Sequence, residues 1–252
     1  MKNASSHHSF CFAAPAYANS APLAQFIPHV CPGASLILDH PAQLLNRLND
    51  HRADAALMPV ADLFANPDLM MIPGLGICAN GLVRSVLLKC HRPLDRVTTV
   101  RWDTASRTSN ALARLLMKHH WRRNVKFVTR EECPDADAEV MIGDRALCEP
   151  PAQAGDYDLA TAWKAFSGLP FVFAVWVHRK NHPHPEFLAD VVNKAKEAGI
   201  QALPEIARQQ SIKLGLSEVS CADYFTSCIR YDVGPEEREA MTLFRTIIRM
   251  EK

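Results

Sequence analysis

Three short segments of this sequence gather residue types that bind or transform a small polar molecule. In PAYANSAPL (15–23), Tyr17, Asn19 and Ser20 offer hydrogen-bond donors directly after an apolar run. A strand end leading into a helix is where open α/β sheets place ligands. The competing reading is a plain strand-to-helix turn capped by Asn19, since Asn is among the best N-cap residues. In WDTASRTSN (102–110), Ser106, Thr108 and Ser109 precede an amphipathic segment. The free N–H groups and dipole of a helix start attract anions, so uncharged donors there suit a carboxylate without a lysine. One hydroxyl must cap the helix in any case, and three exceed that need. In VMIGDRAL (140–147), Gly143 permits close backbone approach, and Asp144 either caps the following helix or receives a substrate hydroxyl.

Other chemistry finds less support. His119 and His120 end a helical stretch, His182 and His184 sit in a loop, and none has a partner at metal-ligand spacing, so no metal is expected. There is no GxGxxG, no phosphate-binding P-loop and no GxSxG. The eight cysteines form no CxxC pair.

The elements that must position these residues alternate between short apolar β-type runs and helical patterns. Strands are expected at 9–14, 53–59, 83–90, 98–102, 125–129, 139–142 and 171–178, with the clearest amphipathic helix at 109–119. That alternation predicts βαβ units and parallel pairing. After residue 178 the pattern turns helical only, at 186–198, 222–229 and 235–250. RSVLLKC (84–90) and LPFVFAVWVHR (169–179) are continuous apolar runs, which read as strands buried on both faces. Their placement predicts a chain that leaves one lobe, builds a second and returns through two crossing strands. The lobes expected are residues 1–87 plus 175–252, and 88–174, with a ligand cleft between them.

The composition is that of an ordinary globular protein: 252 residues, 48% hydrophobic and 22% charged. With 28 Lys and Arg against 27 Asp and Glu, the net charge of +1 excludes the broad basic footprint of a general nucleic-acid binder. The one dense basic run, KHHWRR (118–123), reads as a solvated helix end. No stretch of about 18 apolar residues predicts a membrane span, and the apolar run at 10–16 is too short for a secretory signal. Reduced thiols in the cytoplasm are therefore expected.

Seven segments occur in one order that resembles a known family: YANSAPL (17–23), ADAALMPVADLF (53–64), IPGLGI (72–77), GLVRSVLL (81–88), SRTSNAL (106–112), VMIGDRAL (140–147) and YDLATAWKAFSGLPFVFAVW (157–176). YFTSCIRYDVG (224–234) matches more loosely. Together they resemble the chorismate dehydratase family of the futalosine route to menaquinone. The resemblance implies a two-lobed α/β fold of the type 2 periplasmic-binding-protein kind, with mixed sheets flanked by helices. It also implies loss of water from chorismate to give 3-[(1-carboxyvinyl)oxy]benzoate, a redox-neutral elimination that requires no cofactor. Chorismate carries two carboxylates. Ser106, Thr108 and Ser109 would hold one, and Arg84 and Ser85 the other, with Tyr17 and Gly143 completing the substrate site. Arg84 has a second reading, as a structural ion pair. Asn19 would orient the substrate so that its own enolpyruvyl carboxylate takes the ring proton, with Asp144 as the alternative base. A sister family of the same route carries a His before the acid, where this sequence has Gly143. Ala18 and Ala21 stand where bulkier residues are common. The rival reading is a non-catalytic binding protein or sensor for a small carboxylate, since the fold also serves receptors. Either way the partner is a small molecule, with no nucleic acid and no membrane, bound by a monomer or homodimer.

Overall fold

A computed structural model describes residues 9–150 and 154–250. Its strands are β1 (Cys11–Pro15), β2 (Ser35–Asp39), β3 (Ala55–Pro59), β4 (Leu69–Ala79), β5 (Val86–Cys90), β6 (Thr99–Arg101), β7 (Lys126–Val128), β8 (Ala138–Ile142), β9 (Asp156–Asp158), β10 (Phe171–Arg179) and β11 (Arg230–Asp232). They form two mixed sheets, in the orders β11-β4-β10-β3-β1-β2 and β7-β6-β8-β5-β9. In the first, β1 runs parallel to β2 and β3, whereas β10 is antiparallel to β3 and β4. In the second, β6 is parallel to β7 and β8, and β5 is antiparallel to β8 and β9.

The helices cover the sheet faces. Those of the first sheet are α1 (Ala21–Ala24), α2 (Ile27–Val30), α3 (Pro41–Asn49) and α4 (Val60–Ala65). The second sheet carries α5 (Arg107–Leu115), α6 (Gly143–Cys148) and α7 (Leu159–Ser167). The C-terminal helices are α8 (Pro185–Gln201), α9 (Leu203–Leu214), α10 (Glu218–Asp223) and α11 (Pro235–Met250). Among the described residues no helix is long and apolar enough to cross a membrane. The buried core runs through both lobes, from Phe12, Leu57 and Trp176 to Leu88, Leu112 and Trp163.

The two runs expected to cross between lobes do not do so. β5 pairs only within the second sheet, and β10 pairs with β3 and β4 along its length. Their apolar character reflects a central sheet position, where both faces are covered. The chain passes between the sheets instead through residues 80–85 and through α7 with the turn that follows it. Breaks at 87/88 and 174/175 would cut through β5 and β10. The expected first-lobe segments also include residues 1–8 and 251–252, which lie outside the described residues.

Four strands and one helix were not legible as such. β4 contains Pro73, Gly74 and Gly76 and reads as a loop, yet a Cβ at Gly76 would stand 2.5 Å from Ala174 O of the neighbouring β10. Glycine there permits a close strand approach at a bulged register. β2 and β9 are short and only half-buried, and β11 interrupts the expected all-helical C-terminus by pairing at the sheet edge. α9 lies in the stretch between two of the expected helices, while the expected 109–119 helix begins at Arg107 and widens into a π turn over Leu116–His120.

Candidate active site

The cleft between the sheets is lined from one side by Pro15, Tyr17, Asn19 and Phe173, and from the other by Ser106, Ser109 and Gly143. Ser85, on the connecting segment, forms its floor. The space between the walls, including its open mouth, is about 520 Å³. The sequence-predicted segments thus converge as the fold of alternating strands and helices requires: each follows the end of a strand.

At Asn19 the structure decides between the two readings. The short 3-10 turn Ala18–Ser20 and α1 carry no side-chain N-cap bond, so Asn19 is not a cap. Its side chain lines the cleft, and its Oδ1 accepts from Ser20 Oγ at 3.5 Å. Tyr17 lies beside it. Burial, aided by the charges of Asp103 and Asp144, pushes the Tyr17 hydroxyl up to about 12, so it remains a neutral donor. The Tyr17 ring rests on Gly143, where a Cβ would approach within 2.9 Å of the ring and where φ is +64°. Glycine therefore serves twice here, for its backbone conformation and for close approach.

The three hydroxyls at the start of α5 divide the work. Ser106 is the N-cap: its Oγ accepts from Ser109 N at 3.1 Å and donates to Ser109 Oγ at 2.9 Å. Thr108 does not reach the cleft. Its Oγ1 accepts from Ala61 N at 3.0 Å, capping the start of α4 across the lobe boundary. That leaves the Ser109 hydroxyl with its proton free to face a ligand.

Asp144 is likewise committed elsewhere. Its Oδ1 accepts from Ala18 N at 2.7 Å and its Oδ2 from Lys213 Nζ at 3.3 Å, so it ties the lobes together and is not among the residues lining the cleft. Arg84 follows its ion-pair reading. The guanidinium turns outward to Ser220 Oγ at 2.7 Å, Ser220 O at 3.3 Å and Asp223 Oδ2 at 3.4 Å. Its backbone φ of +62°, with Ser85 N bonded to Val83 O at 2.8 Å, forms a strained γ-turn. Asp158 holds that turn: its Oδ2 accepts from Val83 N and Arg84 N at 3.0 and 2.7 Å, while its Oδ1 caps α7.

Ser85 is fully buried and entirely engaged on its backbone, with its carbonyl accepting from Gly143 N at 2.8 Å. Its Oγ accepts from the Tyr224 hydroxyl at 2.8 Å. Neither Tyr224 nor Asp158 stood out from the sequence. Both lie far along the chain from their partners, and the only signal for Tyr224 was the loose YFTSC resemblance.

Tyr17 is the sole titratable side chain among those lining the cleft. Among the described residues no carboxylate, imidazole, amine or thiol forms its wall, so the groups it offers a ligand are neutral donors beside the apolar surfaces of Pro41, Pro59 and Phe173.

Comparison with known proteins agrees with this geometry. Chorismate dehydratase from Thermus thermophilus is 29% identical over 252 residues, spanning 91% of this chain and 92% of that protein. Chorismate dehydratase from Campylobacter jejuni is 34% identical over 139 residues, 53% of this chain and 49% of that one. A solved structure from Archaeoglobus fulgidus superposes with a TM-score of 0.75 at 14% identity, covering 98% of each chain. The periplasmic aliphatic sulphonate binding protein of Escherichia coli does so at 0.62 and 16%, over 96% of this chain and 87% of that one, which places the fold among periplasmic-binding-protein folds. A model of the menaquinone biosynthesis family matches residues 12–250. That match runs from the first strand through every segment that builds the cleft to the last helix, and the chain belongs to the menaquinone biosynthesis family.

Proposed function

We propose that this protein is a chorismate dehydratase, eliminating water from chorismate to give 3-[(1-carboxyvinyl)oxy]benzoate in menaquinone biosynthesis. The observation that carries the reading is the lining of the cleft, where Asn19, Ser85, Ser109 and a neutral Tyr17 converge with no basic side chain among them. A dicarboxylate held this way meets Ser109 and the free N–H groups of α5 at one end, and Asn19 with Ser85 at the other.

The same lining argues for the proton acceptor. Both oxygens of Asp144 are engaged, and on this reading the enolpyruvyl carboxylate of the substrate itself serves as the base. It takes the hydrogen from the carbon bearing the ether, the C–H electron pair becomes the new ring double bond, and the ring C–O bond breaks. The transferred proton leaves with the hydroxyl as water. Aromatisation drives the step, so the protein contributes orientation and a dry enclosure. Thr108, Arg84, Gly143 and Asp144 act on this reading through the frame: two hold the lobes together, one holds the connecting turn, and Gly143 seats Tyr17.

We assign the reaction to the cytoplasm, which eight unpaired cysteines suit, and to a monomer or homodimer. The test is incubation of purified protein with chorismate, with and without EDTA. Loss of the diene absorbance with appearance of the benzoate, unchanged by the chelator, is expected. Chorismate bound without turnover would replace the enzyme by a binding protein.

A further inference from the structure

Tyr224 lies in a part of the chain that the cleft geometry does not otherwise need. α10 ends at Asp223, and residues Tyr224–Cys228 open into a π turn. Such wide turns are rare and recur at functional sites. This one turns the Tyr224 side chain inward, buried and outside the residues lining the cleft. Its hydroxyl nevertheless reaches a residue that does line it, donating to Ser85 Oγ at 2.8 Å. Burial holds this hydroxyl well above the ordinary tyrosine range, so it keeps its proton.

A phenol has one proton to donate. Here it goes to Ser85 Oγ, and the Ser85 proton is the one left to point into the cleft. The order is a relay of donors, Tyr224 to Ser85 to ligand. A second contact supports the same segment: Arg84, next to Ser85, grips Ser220 and Asp223 of α10 with its guanidinium. The C-terminal helices are thereby fastened to the connecting turn from both sides of the Ser85 peptide.

We propose that Tyr224 is a positioning residue for the dehydration, fixing Ser85 as a hydrogen-bond donor to substrate. This rests on the functional reading above, because the role is defined by the reacting geometry of chorismate.

The experiment is a double-mutant cycle of Tyr224→Phe and Ser85→Ala, with Tyr231→Phe as a control. Tyr231 also buries its hydroxyl, but that hydroxyl has no hydrogen-bond partner among the described residues. Phenylalanine keeps the ring that fills the space at 224, so packing is preserved. Tyr224→Phe should lower kcat by roughly ten- to a hundredfold, the scale of a misplaced reacting group, while KM moves far less. The double mutant should be no slower than Ser85→Ala alone, and Tyr231→Phe should match the wild type. A Tyr224→Phe enzyme with wild-type kcat, or losses that multiply in the double mutant, would overturn the proposal. Should the wild type fail to turn over chorismate, the functional reading falls separately. The relay is then read from urea unfolding midpoints of the same four proteins, where non-additive shifts uphold it and additive shifts remove it.

Discussion

On the proposed reading Asn19 orients the substrate, and its freedom from capping makes it a clean target. Asn19→Ala should leave the melting temperature nearly unchanged, because no cap is lost. Turnover should fall by on the order of a hundredfold through lost substrate orientation. Asn19→Asp keeps the shape but sets a negative charge against a carboxylate, so chorismate should bind it more weakly than the alanine variant. Calorimetric affinity, kcat and melting temperature for both variants check this ranking. The serines of α5 separate in a similar way. Ser106→Ala removes the N-cap and should cost about 1 kcal/mol of stability. Ser109→Ala removes the hydroxyl left free for the ligand and should raise KM with little change in melting temperature, since the donor acts in ground and transition states alike.

Among elements, the connecting segment 80–85 decides where Ser85 sits, and α7 decides the segment. A single carboxylate, Asp158, accepts four backbone N–H groups, two from its own helix and two from Val83 and Arg84. That arrangement holds the positive φ of Arg84, a conformation that costs free energy in any residue with a Cβ. Asp158→Ala loses the cap and both bonds to the turn. A destabilisation of at least about 2 kcal/mol in urea is expected from the cap and the charged hydrogen bonds together. A drop in kcat should accompany it as Ser85 loosens, measured at a temperature where the variant remains folded. Wild-type turnover in a destabilised Asp158→Ala protein would separate α7 from the positioning of Ser85.

At the scale of the molecule, the lobes are closed on one another by Asp144 on Ala18 N, Thr108 on Ala61 N and Arg107 paired with Asp62 at 3.2 Å. Stability at low pH is governed elsewhere. His182, buried at the far end of the first sheet, bonds Asp54 at 3.0 Å beside the start of β3. Burial lowers its pKa in the folded protein below the ordinary histidine value, despite Asp54. Its contribution is therefore present above pH about 6.5, where unfolded histidine is neutral, and is lost as pH falls through the lower folded value. The melting temperature should decline between pH 7.5 and 5.5 by a smaller amount in His182→Gln than in the wild type. Equal slopes would assign the decline to other groups. The affinity of the cleft should not follow this slope, because His182 stands at the opposite end of the strands.

The sequence by itself determined the class of the fold, because strand and helix periods are local properties of neighbouring side chains. It also placed Tyr17, Asn19, Ser106, Ser109 and Gly143 at strand ends, where the cleft indeed lies. What each polar group does was decided only by tertiary structure. Asn19 as a cap, Thr108 as a carboxylate donor and Asp144 as a base were all compatible with local spacing. The partners that claim Thr108 and Asp144, namely Ala18, Ala61 and Lys213, arrive from other parts of the chain. The crossing strands misled for a related reason: continuous burial marks a central strand, and which sheet that strand is central to depends on its neighbours. A hydrogen bond is satisfied once, and a one-dimensional pattern does not show which distant group reaches it first.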